Sequence, residues 1–199
     1  MTSMKVLADS LVGQQGVPEE LYQEFLSDIT EEIDRENKII TDLLSLVKMD
    51  KKAADMNISN MNINELLENI LKRLRPIADQ RRIDLILDSF RPVTADVDEV
   101  KFTLAISNLV ENGIKYNVDE GWVRVTLDAD HKDFYVTVAD SGLGIPEDSI
   151  ERIFERFYRV DKSHSREIGG TGLGLAITKS AVLMHKGSLT VTSTEGQGS

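Results

Sequence analysis

The chain has 199 residues, 41% of them hydrophobic, and a net charge of −11. That size supports one domain core with a smaller extension, while the acidic balance and the lack of a Lys- and Arg-dense run argue against nucleic acid as a partner. The absence of cysteine excludes disulfides and zinc–thiolate sites, and no apolar run is long enough to span a bilayer. We therefore expect a cytoplasmic, water-soluble chain whose membrane attachment, if any, uses segments outside it.

Residues 1–50 predict a helical hairpin. Apolar residues between positions 18 and 49 are spaced alternately by four and three, which indicates a helix with one heptad seam. The seam comprises Tyr22, Leu26, Ile29, Ile33, Ile40, Leu43 and Val47. A shorter helix before it and a turn at 13–18 complete the hairpin. Because a lone hairpin cannot bury this seam, we expect two copies to form a homodimeric four-helix bundle; the alternative is a seam packed on the chain's own globular domain.

Residues 51–57 are predicted to be a linker, and residues 58–199 a globular domain. Its patterns predict, in chain order, strands near 58–61, 83–87 and just before Asp98, strands over 122–127, 134–139 and 188–193, and helices over 64–80, from Asp98 onward and after Gly174. Helices and strands mix without strict alternation. This favours an α+β fold with an open, mostly antiparallel sheet and helices on one face.

Three motifs of this domain together predict a nucleotide site. Residues 108–117 read NLVENGIKYN, residues 140–145 DSGLGI and residues 169–174 GGTGLG. Glycines let the backbone approach a ligand closely, and the second glycine stretch opens into a helix whose first N–H groups can hold phosphates. Asn108 and Asn112 are four apart and share a helix face, and carboxamide oxygens suit Mg²⁺ that is also held by phosphates and water.

With IFERFYRVD at 153–161, these motifs resemble, in order and spacing, the N, G1, F and G2 boxes of the catalytic ATP-binding domain of sensor histidine kinases. The resemblance implies a two-layer α/β sandwich, of the type shared with gyrase, Hsp90 chaperones and MutL proteins, preceded by the dimerisation hairpin. It also implies transfer of the γ-phosphoryl group of Mg-ATP to a histidine on the hairpin. An aspartate of a response regulator would then receive the group.

The resemblance assigns roles to individual residues. Asn112 would be the metal ligand, Lys115 would contact the phosphates, Tyr116 would lie beside the nucleotide and Asp140 would accept from the adenine amino group. Arg159 would stabilise charge on the transferred phosphoryl group, as an always-charged planar donor can. The remaining nucleotide-binding residues would be Gly142, Gly144, Gly170, Thr171, Gly172, Leu173 and Gly174.

Asn108 distinguishes a kinase from a hydrolase. In the chaperone, gyrase and mismatch-repair members, the residue four before the magnesium ligand is a glutamate that activates water, whereas a carboxamide cannot take that proton. We therefore place Asn108 with Lys115 and Arg159 in the catalytic centre of a phosphoryl donor. A hydrolytic ATPase, a serine kinase of the anti-sigma-factor kind and a non-catalytic dimerisation module are the alternatives. The polar stretch 161–168 is a candidate lid over the nucleotide.

Both ends of the sequence depart from the complete family pattern. The family's acceptor segment, of the type His-Glu-Leu-Arg-Thr-Pro-Leu, is absent from residues 1–50, and residues 1–6 resemble the stretch that comes directly after that segment in the family. Residues 195–199 resemble the start of a further glycine box, after which the family continues into a final strand. We expect the chain to bind ATP without phosphorylating itself at the usual histidine, and we expect its three histidines to be structural or solvated.

Overall fold

A computed structural model describes residues 19–51, 56–160 and 170–199. The first helix and turn of the predicted hairpin, most of the predicted linker and the candidate lid lie outside these ranges. The helices are α1 (Glu19–Lys51), α2 (Ile63–Gln80), α3 (Glu99–Lys115) and α4 (Gly174–Met184), with a 3-10 turn at Glu147–Ser149. The strands are β1 (Ile58–Asn62), β2 (Asp84–Ser89), β3 (Thr94–Asp98), β4 (Trp122–Ala129) and β5 (Phe134–Asp140).

The strands form two sheets, where the sequence predicted a single open one. β1 pairs antiparallel with β3, whereas β2, β4 and β5 form a second sheet in that order. β4 and β5 are antiparallel neighbours, but β2 and β4 are parallel, with Leu85 opposite Val123. A parallel pair needs a long crossover, and the chain makes it through β3 and α3. The α+β sandwich expected from the family resemblance is confirmed.

The strand predicted over 188–193 is wrong. In the described part of the C-terminal tail, the only isolated bridge joins Thr194 to Gly198, and residues 188–193 belong to no ladder. Alternation of apolar residues predicts a strand only where a partner edge is available. Here the tail instead folds into a tight turn and hydrogen-bonds to the end of β5, where Asp140 N–H donates to the Ser199 carbonyl over 2.9 Å.

The main core lies between the three-stranded sheet and helices α2 and α3. Alternate residues of β4, namely Val123, Val125 and Leu127, are completely buried because they all point to the helix side of the sheet. From α3, Val110 and Ile114 enter the same cluster. This packing fixes the position of the C-terminal end of α3 relative to the sheet.

A second, smaller core joins α1 to α4. It comprises Leu46, Met49, Ala105, Leu173, Ala176, Ile177 and Ala181. Leu46 is only 1% exposed, whereas the seam residues Leu26 and Ile40 are 57% and 55% exposed. The predicted seam therefore does not pack on the globular domain in the described structure; a different stripe of α1 does. No described helix is both long and apolar enough to cross a bilayer.

Asp98 caps the start of α3. Its carboxylate accepts from Lys101 N–H over 3.0 Å, from Lys101 Nζ over 2.5 Å and from Asn57 N–H over 3.0 Å. The backbone N–H of Asp98 donates to His185 Nε2 over 2.9 Å, and His185 Nδ1, which then carries the ring proton, donates to the Ala181 carbonyl. Burial raises the pKa of the Asp98 carboxyl, but the hydrogen bonds outweigh it, so that the pKa lies below its ordinary value.

We predict that Asp98→Ala lowers the free energy of unfolding by about 2 kcal/mol at pH 7, because three partly buried hydrogen bonds lose their buried acceptor. Asp98→Asn keeps a capping oxygen and should lose less. Because the folded-state pKa is depressed, the stabilisation by Asp98 is present above an ordinary aspartate pKa of about 3.9 and is lost as pH falls through the folded value. Urea denaturation at pH 7 and at about pH 3 measures both effects; equal stability of wild type and Asp98→Ala at pH 7 would contradict the capping role.

Candidate nucleotide site

The C-terminal half of α3 carries two asparagines on one face. Asn108 is 9% exposed, and its Nδ2 donates to the Gly174 carbonyl over 3.3 Å, which ties α3 to the first turn of α4. Asn112 lies one helical turn further on and is half-buried. Its carboxamide forms no hydrogen bond with another residue in the part of the chain that the structure describes. The two side chains therefore differ: Asn108 links α3 to α4, whereas the Asn112 carboxamide makes no such link to another described residue.

Two cations and a phenol surround Gly170. Arg159 Nη1 donates to the Gly170 carbonyl over 2.5 Å, and Lys115 Nζ lies 5.4 Å from the centroid of the Tyr116 ring. A Cβ on Gly170 would lie 2.7 Å from Lys115 Nζ and 3.6 Å from Tyr116 Oη. Glycine is favoured there because its φ is +154°, whereas the lysine contact could be relieved by movement of the flexible side chain.

Burial and neighbouring cations destabilise the positive charge of Lys115. Burial, followed by the positive charges of Arg159, Lys38 and Arg81, lowers its pKa from 10.5 to about 8. A half-buried ammonium group among other cations gains more from an anionic ligand than an exposed lysine does. This corner of the site is therefore suited to phosphate.

The loop after β5 closes over the end of α3. Asp140 Oδ1 accepts from Gly142 N–H over 2.8 Å, and Leu143 N–H donates to the Tyr116 carbonyl over 2.9 Å. A Cβ on Gly142 would lie 2.4 Å from that same carbonyl, so only glycine fits. Burial raises the pKa of Asp140, and hydrogen bonds from the Gly142 and Ser199 N–H groups lower it in part. Asp140 is thus a half-buried acceptor beside Tyr116.

The second glycine loop leads into α4. Phe157 N–H donates to the Gly172 carbonyl over 2.9 Å, and Gly172 has a φ of +69°. Thr171 Oγ1 accepts from Leu173 N–H over 3.2 Å and donates to Asp42 Oδ2 of α1 over 2.7 Å. The loop is therefore bound on one side to the residues after the 3-10 turn and on the other side to α1.

Direct contacts connect most of the predicted site residues. Asn108 touches Gly174, Lys115 and Arg159 meet at Gly170, and Tyr116 meets the 142–143 backbone. Gly144 lies apart, because it packs against the C-terminal tail: a Cβ there would lie 2.1 Å from the Thr194 carbonyl oxygen.

The sequence did not predict the contribution of α1. Lys38 Nζ pairs with Glu111 over 3.0 Å, and Asp42 contacts Thr171. Both residues lie in a charge-rich helix whose apolar seam is on another face. The one feature of the sequence that places them on a common helix face is their spacing with Leu46 and Met49, by four, four and three residues. Because these residues are of mixed polarity, the spacing does not identify a contact face.

Residues 97–199, just over half of the chain, match the family described as histidine kinase-, DNA gyrase B-, and HSP90-like ATPase. The chain belongs to this family. It is 32% identical over its whole length to the sensor histidine kinase WalK of Bacillus subtilis (strain 168), of which it covers 33%. It is also 34% identical over its whole length to the sensor protein kinase WalK of Staphylococcus aureus, of which it covers 48%. These relatives confirm the resemblance to sensor histidine kinases, and the chain spans between a third and a half of their length.

Among solved structures, full-length ShkA in complex with AMPPNP superposes on the chain with a TM-score of 0.77 and 25% identity. The match covers 93% of this chain and 38% of ShkA. Because it extends over nearly the whole chain, the likeness includes α1 as well as the α/β sandwich.

We predict that Gly144→Ala destabilises the fold more than Gly196→Ala. Both glycines have positive φ, +68° and +78°, but a Cβ on Gly196 meets nothing within 4 Å. The conformational penalty alone should cost about 1 kcal/mol at Gly196, and overpacking against the Thr194 carbonyl should bring the cost at Gly144 to about 3 kcal/mol. Denaturant unfolding of the two variants measures this difference, and equal losses would contradict it.

Lys115 should make nucleotide affinity depend on pH. Bound phosphates favour the protonated amine, so binding raises the pKa of Lys115 above its free value of about 8. Affinity is then highest below pH 8 and falls as pH rises through 8, by up to about tenfold per pH unit until the pKa of the complex is passed. Calorimetric titration with Mg-ATP between pH 7 and 9.5 measures the slope. Lys115→Arg, which stays charged, should bind with little pH dependence, and an identical slope in that variant would rule out Lys115 as its source.

Proposed function

We propose that this chain is the ATP-binding catalytic core of a sensor histidine kinase, with residues 1–50 as dimerisation hairpin, 51–57 as linker and 58–199 as catalytic domain. It would transfer the γ-phosphoryl group of Mg-ATP to a histidine on such a hairpin, for relay to an aspartate of a response regulator. The observation that carries the proposal is the placement of Lys115 and Arg159 around Gly170, next to the start of α4.

The nucleotide would lie between the two glycine loops. Its phosphates fit the side where Lys115, Arg159 and the N–H groups at the start of α4 converge, because cations and a helix N-terminus both attract anions. Its base fits the side of Asp140, a half-buried acceptor for an exocyclic amino group, with Tyr116 beside it. The absence of side chains at Gly142 and Gly170 keeps the backbone close to the ligand.

Mg²⁺ would be held by Asn112 together with phosphate oxygens. The described residues contain no group of three or more acidic or histidine side chains that could bind a metal alone. Mg²⁺ commonly binds through one or two protein oxygens plus substrate phosphates and water, so a single carboxamide is sufficient. The bound ion would neutralise charge that develops on the phosphates during transfer.

Two side chains favour a phosphoryl donor over a hydrolytic ATPase. Asn108 stands where a hydrolase carries its base, is neutral, and uses its Nδ2 in the bond to Gly174. Glu111, the nearest carboxylate in sequence to Asn112, forms an ion pair with Lys38. No described carboxylate on the last turns of α3 is therefore placed to activate water, which suits a donor that keeps its phosphoryl group for a side chain.

The exposed seam of α1 supports a homodimer as the acceptor platform. Ile33, Ile40 and Leu43 are each more than 40% exposed along one face of the helix. A second copy would cover this face in a four-helix bundle, whereas α4 already covers the opposite stripe through Leu46. We place this assembly, its ATP and its response regulator in the cytoplasm.

A transfer assay tests the proposal. The chain is incubated with γ-labelled ATP and a second version that is extended at its N-terminus by an acceptor segment of the type His-Glu-Leu-Arg-Thr-Pro-Leu and inactivated by Asp140→Asn. We predict acid-labile label on the extended version, as a phosphohistidine gives. Asn112→Ala in the donor should reduce transfer at least a hundredfold if it removes the metal ligand.

Asn60→Ala serves as a matched control, because Asn60 lies on β1 and its side chain bonds only to the Asp96 side chain in the described structure. It should transfer at the wild-type rate. Acid-stable label would point to serine or threonine, and release of free phosphate without transfer would point to the hydrolase; either result, or no binding of Mg-ATP at millimolar concentration, contradicts the proposal.

A further inference from the structure

We propose that α1, when it is docked on α4, weakens nucleotide binding through Asp42. The Asp42 carboxylate accepts the hydroxyl proton of Thr171 in the second glycine loop, so that this hydroxyl cannot donate to a phosphate. This inference rests on the proposed function, since it assumes that the loop holds phosphates. It adds a residue outside the predicted nucleotide-binding set, and it makes the position of the dimerisation helix a determinant of nucleotide affinity.

The first argument concerns the number of donors. Thr171 Oγ1 has a single proton, and it donates that proton to Asp42 Oδ2 over 2.7 Å. The same oxygen accepts from Leu173 N–H over 3.2 Å, so this backbone donor is also occupied. This second bond lies within the loop and does not depend on α1, so only the hydroxyl proton is withheld from a phosphate oxygen while α1 is docked. A bound nucleotide and Asp42 would therefore compete for the Thr171 hydroxyl.

The second argument concerns charge. Asp42 is only 8% exposed, so its carboxylate is poorly screened by water. It lies against Thr171, which directly follows Gly170, the residue beside which Lys115 Nζ and Arg159 Nη1 lie. Phosphates that enter between these cations and the loop would come close to a like charge.

Docking of α1 also brings the positive charge of Lys38 near Lys115, but Lys38 is paired with Glu111 over 3.0 Å, which offsets its attraction for phosphate. The hydrogen-bond and charge arguments therefore give the same sign: docking of α1 and nucleotide binding oppose each other.

The docking energy comes mainly from apolar residues elsewhere on α1. Leu46 and Met49, 1% and 9% exposed, bury their side chains in the small core that α4 also lines. The Lys38–Glu111 pair at the other end is 54% and 36% exposed and contributes little. The apolar contact holds the helix in place, and Asp42 transmits its position to the loop. By linkage, the nucleotide must weaken docking by the same factor by which docking weakens nucleotide binding.

Calorimetry with Mg-ATP on the whole chain tests this coupling. Asp42→Asn removes the charge and Asp42→Ala removes the acceptor as well; both should bind Mg-ATP at least about fivefold more tightly than wild type. Leu46→Ala, which weakens docking without touching Thr171, should also bind more tightly. Asp28→Asn is the matched control: it removes the same charge from an exposed position of the same helix, fourteen residues earlier, and should leave affinity unchanged.

Hydrogen exchange provides an independent readout. In the wild-type chain, saturating Mg-ATP should accelerate exchange of the amides over 38–49, because bound nucleotide releases α1. In Asp42→Ala these amides should exchange faster before nucleotide is added, and Mg-ATP should change them less.

Wild-type affinity in the Asp42 variants, weaker binding in them, or protection of residues 38–49 by Mg-ATP would each overturn the inference and leave the proposed function intact. Weaker binding would show that the carboxylate orders the loop for its ligand. Failure of the wild type and of every variant to bind Mg-ATP would overturn the proposed function together with the inference.

Discussion

The position of α3 is the constraint on which the rest of the structure depends. The helix is fixed at its start by the Asp98 cap, along its length by Val110 and Ile114 in the main core, and near its middle by the bond from Asn108 to the Gly174 carbonyl. At its C-terminal end, the Tyr116 carbonyl accepts a hydrogen bond from Leu143 N–H in the loop after β5. One buried helix thus sets the distance between the two glycine loops, and the width of the nucleotide site is a result of core packing.

Much of the domain was predictable because its signals are local. Alternation in β4 and the apolar face of α2 specify elements that each bury one side, and the structure has them within a few residues of the expected bounds. The division into two sheets was not predictable, because pairing depends on which edges meet after α3 has crossed over. The prediction of a strand over 188–193 was wrong for the same reason: an alternating pattern does not form a strand without a partner edge.

The candidate site shows the same limit. Sequence motifs contain most of its residues, namely its glycines, its asparagines, Lys115 and Asp140, so one sequence is enough to propose them. Asp42 and Lys38 stand in a helix where charge is normally solvated, and their contacts with Thr171 and Glu111 join residues 129 and 73 positions apart. Such pairs arise from docking of one finished element on another. No rule of spacing within α1 indicates them.

The tail that closes over the first glycine loop affects the order in which the domain can form. Ile145 N–H donates to Ser193 Oγ, Gly196 N–H to the Leu143 carbonyl, and Asp140 N–H to the Ser199 carbonyl. The first of these bonds spans 48 positions, and each joins the loop to residues that leave the ribosome long after it. Contacts of such separation form late, because chain closure costs entropy before they are gained. We therefore expect the loop after β5 to reach its final form late in folding, after the sandwich beneath it.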